Sequence, residues 1–103
     1  MNRISIPFSH QMKEAVLLGS KTATTRTKQY GYRGDTFKLG DQSFVITDIQ
    51  HVLLGHIAHN FYLQEGFISP VGFIEYWKKL HPRRGYIYNQ MVFLHLFRKG
   101  QEI

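Results

Sequence analysis

The stretch GSKTATTR, residues 19–26, sets Lys21 and Arg26 on either side of Thr22, Thr24 and Thr25. A threonine hydroxyl is a weak nucleophile until a base takes its proton. A lysine serves as that base only when burial or a neighbouring cation lowers its pKa. Arg26 is such a cation if folding brings it near Lys21. The geometry is demanding, because residues three apart on a regular strand, such as Lys21 and Thr24, point to opposite faces. Chemistry between them therefore predicts irregular backbone or a bulge. The plain alternative is a polar strand with solvated cations, and the spacing is compatible with both.

Two other segments carry groups that suit a ligand. In TKQYGYRGD (27–35) and KKLHPRRGYIY (78–88), Lys28, Arg33, Lys79, Arg83 and Arg84 interleave with Tyr30, Tyr32, Tyr86 and Tyr88. Tyrosines stack on bases while arginines neutralise phosphates, which is the pattern of an RNA surface. The alternative is that the tyrosines pack at core edges and the cations are solvated. His51, His56 and His59 cluster, and His56 and His59 have the three-residue spacing of a metal pair on a helix. No carboxylate or cysteine nearby completes a ligand set, so no metal and no cofactor is expected. Phosphate-binding glycine loops and the HExxH and GxSxG motifs are absent.

With 103 residues, the chain has the length of a single domain spanning 1–103. Thirteen Lys and Arg against seven Asp and Glu leave a net charge of +6, which puts nucleic acid or a nucleotide-like ligand on the list of partners. The absence of cysteine excludes disulfides, thiol nucleophiles and cysteine-based zinc sites, and fits a reducing compartment. The start, MNRISIPFSHQM, has no apolar signal region, and the longest apolar runs, such as VFLHLF, are too short to span a bilayer. The expectation is a cytoplasmic protein with no membrane partner. Nothing in the composition indicates an oligomeric state.

The elements that must position these groups follow from capping and periodicity. ISIPF (4–8) suits a short edge strand weakened by Pro7. A helix is expected after Ser9, with Met12, Ala15, Val16 and Leu18 as its buried stripe and Gly19 as its C-cap. KTATTRT has strand character, and TFKLGDQSFVITDIQHVLL reads as two strands joined at Gly40-Asp41. HIAHNFYLQEGF suits a short helix running into a turn at Gly66. A second clear helix starts at Ser69-Pro70, with Phe73, Ile74, Trp77 and Leu80 on one face and Pro82 after its end. QMVFLHLF resembles a strand buried on both faces. The order predicts an α+β domain with a curved or closed sheet and two packed helices.

GSKTATTR resembles the G-x-K-x-x-T-x-R signature of the ASCH domain family, with Gly19, Lys21, Thr24 and Arg26 in the four fixed positions. Glu65-Gly66-Phe67 is similar to that family's acidic turn ahead of a helix, and Leu39-Gly40-Asp41 to its glycine-aspartate turn. The resemblance covers nearly the whole chain and implies a PUA-like small barrel, closed or partly open, with two flanking helices. Some small members are amidohydrolases that remove the acetyl group of 4-acetylcytidine; others bind RNA, and a few are proposed to cleave it. Carried onto this sequence, the resemblance implies Thr24 as nucleophile, Lys21 as its activator and Glu65 as proton carrier. Arg26, Gly19 and Phe67 are the corresponding substrate-binding candidates. For an RNA-binding module the candidates are Lys28, Tyr30, Tyr32, Arg33, Lys79, Arg83 and Arg84.

Overall fold

A computed structural model describes residues 1–100 of the chain. Helix α1 (His10–Leu18) begins where Ser9, in extended backbone, accepts a hydrogen bond from the Met12 N–H, satisfying one of the donors a helix start leaves over. It ends at Gly19, whose φ of 87° is a left-handed cap that a side chain would disfavour. Met12 and Val16 are buried under this helix. Leu18, expected on the same stripe, is 80% exposed. At 3.6 residues per turn it lies on the far side from Met12 and Val16, and Leu17 packs towards the core instead.

Strands β1 (Ala23–Arg26), β2 (Thr36–Leu39), β3 (Gln42–Leu53) and β4 (Met91–Gly100) form one antiparallel sheet in the order β1-β4-β3-β2. Leu39 pairs with Gln42 across the two-residue loop Gly40-Asp41. Positive φ falls on its first position alone, the type II′ arrangement that matches the twist of paired strands. Between Ile46 and Asp48 the register against β4 slips by one residue at Thr47, a bulge that bends β3. The sheet curls into a half-barrel. β4 is one of its two inner strands, with Val92, Leu94, His95 and Phe97 buried. The strand expected over residues 4–8 does not form. Only Arg3 bridges to Thr36, and the Ile4 N–H bonds to the Thr36 carbonyl; beyond it Pro7 has no N–H to extend a ladder.

Helix α2 (Leu54–Asn60) and helix α3 (Pro70–Leu80) follow β3. Ser69 accepts from the Gly72 N–H and Pro70 occupies the first turn, which starts α3 as its sequence predicts. The short helix expected in HIAHNFYLQEGF forms as α2, starting two residues earlier at Leu54, so a third helix joins the two expected to flank the sheet. Two apolar clusters hold the layers together. One joins α2 and α3 to β1 and β4 through Leu54, Ile57, Phe73, Trp77, Val92 and Leu94. The other joins α1 to β2, β3 and β4 through Val16, Phe37, Phe44, Ile46 and Phe97. Phe37, Phe44 and Phe97 stack or meet edge to face at 5.2–5.8 Å between centroids.

Candidate active site

The backbone at the start of β1 is irregular, though Lys21 and Thr24 turn to different partners. The N–H groups of Thr22 and Ala23 both donate to the Gln64 carbonyl, at 2.7 and 3.0 Å. Consecutive N–H groups of a regular strand point in opposite directions, so this pairing is a local kink. It pins the turn after α2 against β1. Within that turn Glu65 N–H bonds to the Phe61 carbonyl and Gly66 N–H to the Leu63 carbonyl. Gly66 has φ 97°, a left-handed conformation that favours glycine, and it packs against Lys21.

Glu65 and Lys21, each 3% exposed, meet across this junction. Lys21 Nζ donates to Glu65 Oε1 at 2.8 Å and to the Glu65 main-chain carbonyl at 3.1 Å. The second carboxylate oxygen, Oε2, accepts from the Thr25 hydroxyl at 2.6 Å. Burying a single charge here would be costly; paired and hydrogen-bonded, both are accommodated. Thr24 faces a different partner. Its Oγ1 accepts from Arg26 Nε at 3.1 Å. The Arg26 guanidinium lies 5.0 Å from the Phe8 ring centroid and 5.7 Å from that of Tyr30, a cation held between two π faces. Burial lowers the Arg26 pKa, against the opposing influence of Tyr30 and Glu65, and a guanidinium keeps its charge in such a setting.

Behind Thr24 lies His95, fully buried. Its Nε2 accepts from the Tyr30 N–H at 2.9 Å, so Nδ1 carries the ring proton and donates to the Thr24 carbonyl at 3.2 Å. One imidazole thus ties β4 to β1 and to the loop bearing Tyr30. Burial lowers its pKa most, with the nearby Arg26 charge acting in the same direction and the Thr24 and Phe93 backbone bonds opposing.

Lys21, Thr24, Thr25, Arg26 and Glu65 all line one partly enclosed cavity of about 330 Å³. Its apolar walls are Phe8, Phe67, Phe73, Tyr76 and Trp77, drawn from both clusters, and Ser9 Oγ meets Tyr76 Oη at 3.1 Å across it. The volume is at the low end of the roughly 300–1,000 Å³ of small-ligand sites. Lys28 and Tyr30 belong to the same wall, with Lys28 Nζ 4.9 Å from the Tyr30 centroid. Leu80 and His81 bring the end of α3 to it.

Of the candidates chosen from sequence, Lys21, Thr24, Glu65, Arg26 and Phe67 converge on this cavity. Gly19 does not; it is occupied as the cap of α1. Tyr32, Arg33, Lys79, Arg83 and Arg84 are exposed outside it. His51 stacks on Phe93 at 4.2 Å and His56 bonds to Asn60. No group of three His, Asp or Glu able to hold a metal occurs among the described residues. Nor is any described helix long and apolar enough to cross a membrane. Sequence reasoning missed Thr25 and His95. A polar residue inside the apolar run VFLHLF was a signal for His95; Thr25 had none beyond its place beside Thr24.

The architecture is that of an ASCH-like fold. The structure matches the ASCH domain from Lactobacillus crispatus with a TM-score of 0.72 at 12% identity, covering 95% of this chain and 78% of that one. The hypothetical protein PH0355 matches with a TM-score of 0.71 at 12% identity, over 97% of this chain and 100% of the other. Protein EF3133 from Enterococcus faecalis matches with 0.60 at 17% identity, over 95% and 78% of the two chains. The sequence matches no family model and no curated protein. At these identities the likeness is one of fold.

Proposed function

We propose that this protein is an amidohydrolase that removes an acyl group from a modified nucleoside such as 4-acetylcytidine. The observation that carries the reading is the buried Lys21–Glu65 pair set beside two threonine hydroxyls in an aromatic-walled cavity. Hydrolysis of an amide needs a nucleophile, a proton acceptor that later serves as donor, and a positive group for the developing oxyanion. A threonine supplies the first, Glu65 the second and Arg26 the third. Phe67 and Tyr76, both partly exposed in the cavity wall, offer faces for a planar base. In the resting site Lys21 Nζ donates to Glu65 and makes no hydrogen bond to Thr24. For Lys21 to activate Thr24, it must first hand a proton across the 2.8 Å to Glu65 Oε1.

The second reading is an RNA-binding module, with RNA cleavage as a minor variant. It is favoured by Lys28 over the Tyr30 ring at the cavity wall, a cation and a stacking surface side by side. Incubation with 4-acetylcytidine, followed by chromatography for cytidine and acetate, tests the first reading. Release of both supports it. An unchanged nucleoside, together with salt-sensitive retention of RNA on a filter, would favour the second.

A further inference from the structure

We propose that Thr25, rather than Thr24, is the hydroxyl that accepts the acyl group, with Glu65 as its base and Lys21 holding Glu65 in place. This inference rests on the amidohydrolase reading and names the reacting atom within it.

Three observations converge. Thr25 donates its hydroxyl proton to Glu65 Oε2 at 2.6 Å, the short distance of a charge-assisted bond. A nucleophile bonded to its base, with the base oriented by a third group, is the signature of an activated hydroxyl. That third group is Lys21, which grips Oε1 and the Glu65 main-chain carbonyl together, so Oε2 is held towards Thr25. Thr24 lacks such a base. Its oxygen accepts from Arg26 Nε, and a guanidinium takes up no proton. Neighbouring strand residues point to opposite sides, so the two hydroxyls sit in different company: Thr25 with the carboxylate, Thr24 with the cation.

The step balances without any group beyond water. Thr25 Oγ1 attacks the acyl carbon while its proton moves to Glu65 Oε2. The carbonyl oxygen becomes an oxyanion in the cavity that the Arg26 guanidinium also lines. Collapse breaks the C–N bond, and the Glu65 proton passes to the departing amine, leaving an acyl ester on Thr25. Water then attacks that ester, giving a proton to Glu65. Collapse of this second intermediate releases the carboxylic acid and returns the proton to Thr25 Oγ1.

The test uses an acyl donor that does not depend on the natural substrate. The intact protein is mixed with p-nitrophenyl acetate, quenched in acid and digested with trypsin after unfolding. Cleavage at Lys21 and Arg26 frees the peptide Thr22–Arg26, in which fragmentation separates Thr24 from Thr25. The expected result is acetyl on Thr25, retained in Thr24→Val, abolished in Thr25→Val and restored in Thr25→Ser. Acetyl on Thr24, acetyl on lysines alone, or no acetyl overturns the assignment, and mapping on the unmodified sequence makes the outcome independent of whether a variant folds. Turnover of 4-acetylcytidine with acetyl on Thr24 would leave the amidohydrolase reading standing and remove Thr25. Acetyl on Thr25 without turnover of 4-acetylcytidine would do the reverse.

Discussion

Glu65 accepts from three directions if its main-chain carbonyl is included, and its neighbours respond differently to its loss. Glu65→Gln keeps the side-chain shape but cannot take a proton, so turnover of 4-acetylcytidine should fall by about 10²–10⁴-fold. It also leaves the Lys21 ammonium buried without its counter-charge, which costs about 3–5 kcal/mol. A denaturant melt beside the assay separates the two effects; full activity in a folded variant would remove Glu65 from the mechanism. His95 makes a pH-dependent contribution. Its pKa is lowered in the folded chain, while the unfolded chain takes up a proton near pH 6.5. Below about pH 6.5 the unfolded state therefore binds more protons, and stability falls as pH drops through that value towards the lowered folded one. Most carboxylates titrate lower, near pH 4, so melting midpoints between pH 8 and 5 leave them aside, and comparison with His95→Gln separates His95 from the other five histidines. The midpoint should decline over that range, and His95→Gln should flatten the decline.

Helix α3 supplies Phe73, Tyr76 and Trp77 to the cavity, so its first turn bears on the site as well as on the fold. Ser69 satisfies the Gly72 N–H, and Ser69→Ala should cost about 1 kcal/mol. Unfolding in urea measures this directly. Frayed pairing at Gly72 also loosens Phe67, whose ring lies 5.9 Å from that of Phe73, so KM should rise more than kcat falls. The kink that joins residues 22–23 to Gln64 acts similarly. It sets β1 against the turn carrying Glu65 and so fixes the ion pair that the strand by itself would not make.

Taken as a whole, the molecule carries its +6 charge partly on two loops that both run to the cavity. Lys28 lies in its wall, and Arg83 and Arg84 follow His81 at the end of α3. If RNA is a partner, its retention should weaken steeply with salt, because each neutralised phosphate releases a counterion. Arg83→Ala combined with Arg84→Ala should then reduce the log–log salt slope by about 2, roughly 0.9 for each lost duplex-phosphate contact and less for single strands. Filter binding at several salt concentrations reads the slope. An unaltered slope would place those arginines outside any RNA path.

Local chemistry makes much of this fold legible in the order of residues. Ser9, Gly19, Ser69 and Pro70 act on backbone groups within four residues of themselves, so the bounds of α1 and α3 follow from sequence. The Gly40-Asp41 hairpin and the doubly buried β4 follow in the same way from turn geometry and an unbroken apolar run. The motif also singles out Lys21, Thr24 and Arg26, and the separate acidic-turn resemblance singles out Glu65. What tertiary structure decided was the company each keeps. Lys21 and Thr25 reach Glu65 across 44 and 40 residues, and His95 reaches Thr24 across 71. Such contacts depend on the kink before β1, the bulge at Thr47 and the register of β1 on β4. A shift of one residue turns every side chain of a strand to its other face. Which of two adjacent threonines meets the carboxylate is therefore a property of the assembled sheet, invisible along β1 alone.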